Sequence, residues 1–106
     1  MKEHEIIKKI LSGDIRTFSL LVERHQSKAM TLALRMLKNR EDAEEALQDA
    51  FLRVYRALGT FEGKANFSTW FYRIVYNVCA SALEKRGASI LQSLSVDDME
   101  STITSK

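Results

Sequence analysis

The sequence contains no proline, one cysteine and only four glycines (Gly13, Gly59, Gly63, Gly87) among 106 residues. Without proline nothing interrupts a helix from within, and sparse glycine leaves few positions where a helix must end or a loop must turn. A lone Cys79 excludes an intramolecular disulfide and places the chain by default in a reducing cytoplasm. Excess charge of one sign is also missing: 16 Lys and Arg oppose 14 Asp and Glu, a formal charge of +2. That balance excludes a protein that coats nucleic acid non-specifically, so any DNA contact is local. The charged start Met1-Lys2-Glu3-His4-Glu5 lacks the apolar core of a signal peptide or membrane span, and no membrane partner is expected.

What the sequence does contain is helical periodicity. A chain of 106 residues, 45% hydrophobic, fits one domain. Ile6, Ile7, Ile10 and Leu11 predict a short first helix over 2–12, closed by Gly13. Asp14 is a candidate N-cap for a longer helix running to about Leu37, in which Phe18, Leu21, Val22, His25, Ala29, Leu32, Ala33, Met36 and Leu37 recur every three or four positions. Asn39-Arg40-Glu41-Asp42 is a polar break with capping chemistry before a third helix, ended by Gly59. Residues 60–67 read as a loop, and Ser68 is the candidate cap of a fourth helix stopped by Gly87. The expected fold is all-α: a compact bundle of about four helices over 1–87, followed by a flexible linker or tail over 88–106. That tail holds five Ser, two Thr and one Lys against Asp97, Asp98 and Glu100. Its Ile90, Leu91, Leu94 and Val96 are compatible with a short helix but no independent core.

Two faces carry candidate chemistry. At ~100° per residue, Ala43, Ala46, Leu47, Ala50, Phe51, Val54 and Leu58 share the core side of the third helix, and Asp42, Glu45, Gln48, Asp49 and Arg56 the other, with Leu52 in their midst. A leucine ringed by polar groups matches a small hot spot with a polar rim; a solvated helix face with one ordinary exposed leucine has the same pattern. In the fourth helix Trp70, Phe71, Ile74, Val75, Val78, Cys79 and Ala82 point inward. Arg73, Tyr76, Asn77, Ala80 and Glu84 point outward, flanked by Tyr72. Aromatic, guanidinium and amide groups together suit unpaired bases and phosphates, with Lys64, Lys85 and Arg86 placed to add backbone contacts. Phe61, Phe67 and Trp70 equally suit a plug for the end of the domain.

Catalysis is not indicated. His4 and His25 are isolated, Cys79 falls on the inward side, and no nucleophile, base and orienting group come together. The acids lack clustered His or Cys and the calcium-loop pattern, so neither a metal nor another cofactor is expected.

Several segments, in order, resemble region 2 of bacterial RNA polymerase sigma factors, of the extracytoplasmic-function group in the sigma-70 family. They are Gly13-Asp14 with Phe18 and Leu21, then Asp42-Ala43-Glu44-Glu45-x-x-Gln48-Asp49-x-Phe51-Leu52, then Phe61-x-Gly63, and last Phe67-Ser68-Thr69-Trp70-Phe71-x-x-Ile74-x-x-Asn77. The resemblance implies a transcription initiation module. Its third helix would dock on the clamp helices of the beta-prime subunit of core RNA polymerase through Asp42, Glu45, Gln48, Asp49 and Leu52. Its loop and fourth helix would capture the non-template single strand of the promoter minus-ten element through Lys64, Asn66, Phe67, Thr69, Arg73, Tyr76 and Asn77. An anti-sigma factor is a further partner implied by the family. Ser81 and Glu84 depart from the family's usual Asp and basic residue after the Asn. Nothing after Gly87 is expected to fold as the family's helix-turn-helix domain, so a region 2 fragment or a truncated regulator is expected. A purely protein-binding helical module, in which the aromatics seat another helix, is the competing reading.

Overall fold

The computed structural model describes residues 2–61, 63 and 66–93. Among them all regular structure is helical: α1 (Glu3–Leu11), α2 (Phe18–Leu37), α3 (Arg40–Ala57) and α4 (Phe67–Ser93), with single 3-10 turns at Ile15–Thr17 and Leu58–Thr60. The all-α bundle of four helices expected from the periodicity is the fold found.

Each boundary has a local cause. Gly13 takes φ +111°, and the Gly13 and Asp14 N–H groups bond back to the carbonyls of Ile10 and Lys9, closing α1 as a Schellman motif. Asp14 makes no side-chain cap, and the 3-10 turn at Ile15–Thr17 leads into α2 instead. Lys38, left-handed at φ 56°, ends α2, and Asn39 starts α3 by accepting the Asp42 N–H at 3.0 Å. The two-residue connection makes α2 and α3 an antiparallel hairpin. Ala29 and Ala33 on one side and Ala43 and Ala50 on the other are fully buried, so small side chains let the two backbones approach closely.

α4 fills the hairpin's groove. Phe71, Val75, Val78 and Cys79 are buried there, and Phe71 lies 4.9 Å from the His25 ring and 5.5 Å from the Phe51 ring, centroid to centroid. Arg86 ties the far end: Nη1 donates to the Leu37 carbonyl at 3.0 Å and Nη2 to Asp42 Oδ2 at 2.5 Å, joining the end of α2 to the first turn of α3. Because His25 meets Phe71 and Leu37 meets Arg86, α2 and α4 run in the same direction. α1 is pinned at its start, where Glu3 Oε1 meets Nε2 of buried His25 beneath the rings of Phe67, Phe71 and Tyr72. His25 is thus a packed residue that joins helices.

Three expectations are corrected. The fourth helix is capped by Asn66, whose Oδ1 accepts the Ser68 N–H at 2.9 Å while its carbonyl accepts that of Trp70; Ser68 is the second residue inside the helix. Gly59 lies within a 3-10 turn after α3 has ended. Gly87 does not stop α4, which continues to Ser93, so residues 88–93 are helical. The rest of the expected tail, 94–106, lies outside the described residues.

Two substitutions test this packing. Gly87 sits in helix with nothing within 4 Å of an added Cβ. Gly87→Ala should raise stability by about 0.5–1 kcal/mol, read as a higher urea midpoint at unchanged slope; a left-handed stop at Gly87 would make the change destabilising. The Tyr72 hydroxyl is buried and has no hydrogen-bond partner among the described residues, and burial, with Glu3 nearby, raises its pKa above 10.0. The neutral phenol is the form the fold favours. Its contribution is therefore complete below pH 10 and lost as pH rises through the raised folded value. Tyr72→Phe should raise the melting temperature at neutral pH, by about 1 kcal/mol of stability, and flatten the loss of stability at alkaline pH. A clear fall in melting temperature would show that the hydroxyl is bonded after all.

Candidate binding faces on the third and fourth helices

On α3 the five candidate residues remain outside the core, but they fan around the helix instead of forming one flat patch. Asp42, Glu45 and Asp49 line an open groove of about 440 Å³ against Ser81, Lys85 and Arg86 of α4, with Arg53 beside them. Asp42 is already held by Arg86, and Asp49 pairs with Arg53 at 3.5 Å. Glu45 and Gln48 are exposed and have no polar partner among the described residues. Leu52 is 53% exposed. Tyr55, one turn further on, is 39% exposed and rests edge-on against Phe18 at 5.3 Å, so Leu52 is not an isolated apolar side chain. The spacing of three from Leu52 was the available signal for Tyr55.

On α4 the structure separates the candidates. Thr69, Arg73, Tyr76 and Asn77 are exposed, Tyr76 at 54%. Asn66 is exposed but spends its side-chain oxygen on the helix cap, leaving its amide NH₂ as the outward group. Lys64 lies outside the described residues. Phe67 is a correction: at 5% exposure, four residues before Phe71 on the same inward side, its ring is core and cannot stack on a base from there. With Phe61 and half-buried Trp70, at 5.5 and 5.6 Å, it forms the plug at the end of the bundle. Arg86 is also corrected, because its guanidinium is bound to Leu37 and Asp42 and points into the bundle rather than towards a phosphate. The aromatic plug and the Asn66 cap therefore brace the segment whose outer side presents Arg73, Tyr76 and Asn77.

Burial raises the pKa of the Cys79 thiol above its ordinary value, which disfavours the nucleophilic thiolate. Among the described residues no group of three His, Cys, Asp or Glu side chains could hold a metal, and no helix is long and apolar enough to cross a membrane.

The family model Sigma-70 region 2 matches residues 21–89. The RNA polymerase sigma-H factor of Pseudomonas aeruginosa is 37% identical over 86 residues, 81% of this chain and 45% of that protein. The ECF RNA polymerase sigma-E factor of Escherichia coli is 34% identical over 87 residues, 82% of this chain and 45% of that protein. The chain thus spans about half the length of the curated relatives it matches. Among solved structures, an engineered region 2 of sigmaE in complex with GTAAAA superposes with a TM-score of 0.73 at 35% identity, covering 82% of this chain and 95% of that one. CnrH, solved in complex with the cytosolic domain of CnrY, superposes with a TM-score of 0.60 at 30% identity, covering 87% of this chain and 66% of that one. Similarity in sequence over most of the domain, together with a shared four-helix fold, shows that this chain belongs to the sigma-70 region 2 family, in the branch of the extracytoplasmic-function sigma factors.

Proposed function

We propose that the chain is a transcription initiation module without catalytic activity, which docks on core RNA polymerase and captures the opened minus-ten element of a promoter. The observation that carries this reading is two separate exposed faces on one bundle whose fold matches a region 2 domain held with the oligonucleotide GTAAAA. The α3 face, with Glu45, Gln48 and Leu52 bordered by Asp42 and Asp49, takes the clamp helices of the beta-prime subunit: an apolar knob inside a polar rim suits a helical partner. The α4 face takes the non-template single strand. Tyr76 offers a stacking surface, Arg73 a phosphate contact, and Asn77, with Thr69 and the Asn66 amide, hydrogen bonds to base edges. Melting is then driven by binding energy to unstacked bases and not by any reaction at the site. A cytoplasmic location follows from that role. A protein inhibitor of the anti-sigma kind is an expected competitor, a reading supported by the complex of the related CnrH with the cytosolic domain of CnrY.

The two faces separate by mutation. Leu52→Ala combined with Gln48→Ala should weaken capture of core RNA polymerase roughly tenfold or more while the circular dichroism spectrum stays that of the parent. Undiminished capture would remove the α3 face from the reading. Arg73→Ala and Asn77→Ala should each weaken binding to single-stranded GTAAAA roughly tenfold in fluorescence anisotropy, and parent binding should fall steeply as salt rises. Equal affinity in parent and variants, or binding indifferent to salt, would favour a module that contacts protein alone.

A further inference from the structure

From Arg24 to Arg40 the chain carries five Lys or Arg side chains and no carboxylate. The stretch is most of α2 and the turn after it. At ~100° per residue, Lys28, Thr31 and Arg35 share one strip of α2, turned away from buried Ala29, Ala33 and Leu37. All three are exposed, and neither Lys28, Arg35 nor Lys38 has an ion-pair partner among the described residues. α1 lies over the lower end of this strip, where Ile6 shares a shallow cleft with Leu20, Glu23 and Arg24. Glu3, at the start of α1, contacts His25, and beyond His25 the residues Lys28, Thr31 and Arg35 are exposed among the described residues.

α4 runs beside that exposed strip in the same direction. His25 is level with Phe71 and Tyr72, and Leu37 with Arg86, so Lys28 to Arg35 lie level with about Val75 to Leu83. Tyr72 faces His25, and Tyr76, one turn further along the same flank, is exposed at the edge nearest α2. The strip therefore borders the aromatic edge of the α4 face. Attraction to the helix dipole accounts for Arg35 and Lys38 in and after the last turn of α2, but not for Lys28, more than two turns earlier.

We infer that Lys28 and Arg35 form a phosphate track, a sequence-independent second arm of the nucleic-acid surface that holds the DNA backbone beside Tyr76. This rests on the proposed DNA role of α4 and adds to it. Seven residues of helix separate the two cations by about 10 Å along the axis, far enough for each to meet a different phosphate of one strand. An anionic membrane is the weaker occupant, because the apolar side of α2 that would enter the lipid is buried in the core.

The test uses the 106-residue chain and two labelled single strands, one carrying GTAAAA at its centre and one of the same composition scrambled. Lys28→Gln combined with Arg35→Gln should weaken binding to both strands by the same factor, roughly three- to tenfold at low salt, and reduce the slope of log affinity against log salt by about 1–2. The preference for GTAAAA should not change, whereas Asn77→Ala should reduce that preference. If the double variant kept the parent's salt slope while Asn77→Ala weakened binding, the track would be overturned and the α4 reading would stand. Failure of the parent to bind either strand would overturn both. A double variant that lost binding to phosphatidylserine vesicles but not to DNA would assign the strip to lipid and overturn the inference.

Discussion

Burial of the apolar side of α4 in the hairpin of α2 and α3 is the constraint from which the exposed chemistry follows. Phe71 is almost completely enclosed, with His25, Phe51, Phe67 and Tyr72 around its ring. Once that ring and Val75, Val78 and Cys79 are committed inward, the helix repeat leaves Arg73, Tyr76 and Asn77 no direction but outward. Their display needs no separate device. The same enclosure braces the start of the helix, where Phe61, Phe67 and Trp70 pack against one another and Asn66 fixes the first turn. On the proposed reading a strand contacting α4 would therefore meet a backbone already fixed by the packing beneath it, which lowers the ordering entropy that binding must overcome.

The polar contacts divide into those that hold the bundle and those left on its surface. Arg86 satisfies the otherwise orphaned Leu37 carbonyl at the end of α2 and engages Asp42 at the start of α3, so one guanidinium joins three helices. Pairs such as Arg40 with Glu44 and Arg53 with Asp49 are half exposed and contribute little to stability. Breaking the Arg53–Asp49 pair would therefore cost little, whereas losing the Arg86 guanidinium would remove both the bond to the Leu37 carbonyl and the pair with Asp42. Of the three candidate acids on α3, Glu45 has no polar partner among the described residues, Asp49 pairs with Arg53, and Asp42 is held by Arg86.

The sequence made the helices and their inward faces legible because burial follows the 3.6-residue repeat directly. Gly13 and Asn39 ended and began helices as their local chemistry dictates. The misreadings share a different character, because each depends on what lies across the fold. Gly87 reads as a stop by itself, but no steric demand there calls for a left-handed residue, and the helix runs through it. Ser68 and Asn66 are both good caps, and burial of Phe67 decides between them by setting where the first turn begins. Arg86 resembles a surface cation until α2 and α3 bring a carbonyl and a carboxylate to it. The Leu52 face was legible from spacing; the same spacing of three pointed to Tyr55, but how far that ring stays exposed depends on Phe18 packing against it.

A formal charge of only +2 conceals a strong separation of sign. Five carboxylates lie on α3, while Lys28 and Arg35 of α2 are exposed without an ion-pair partner among the described residues, and the bundle holds these surfaces in fixed relation. Such a distribution has a small net attraction to any polyanion at long range, so what discriminates between partners is the local sign of each face. Within a Debye length of about 8 Å at physiological salt, a nucleic-acid backbone approaching the acidic side of α3 is repelled, and one approaching α2 and α4 is drawn in. A partner helix with basic flanks experiences the reverse. On the proposed reading, that separation of charge on one bundle would let two different macromolecules be held at once without competing for the same surface, and would penalise the wrong pairing of face and partner by like-charge repulsion.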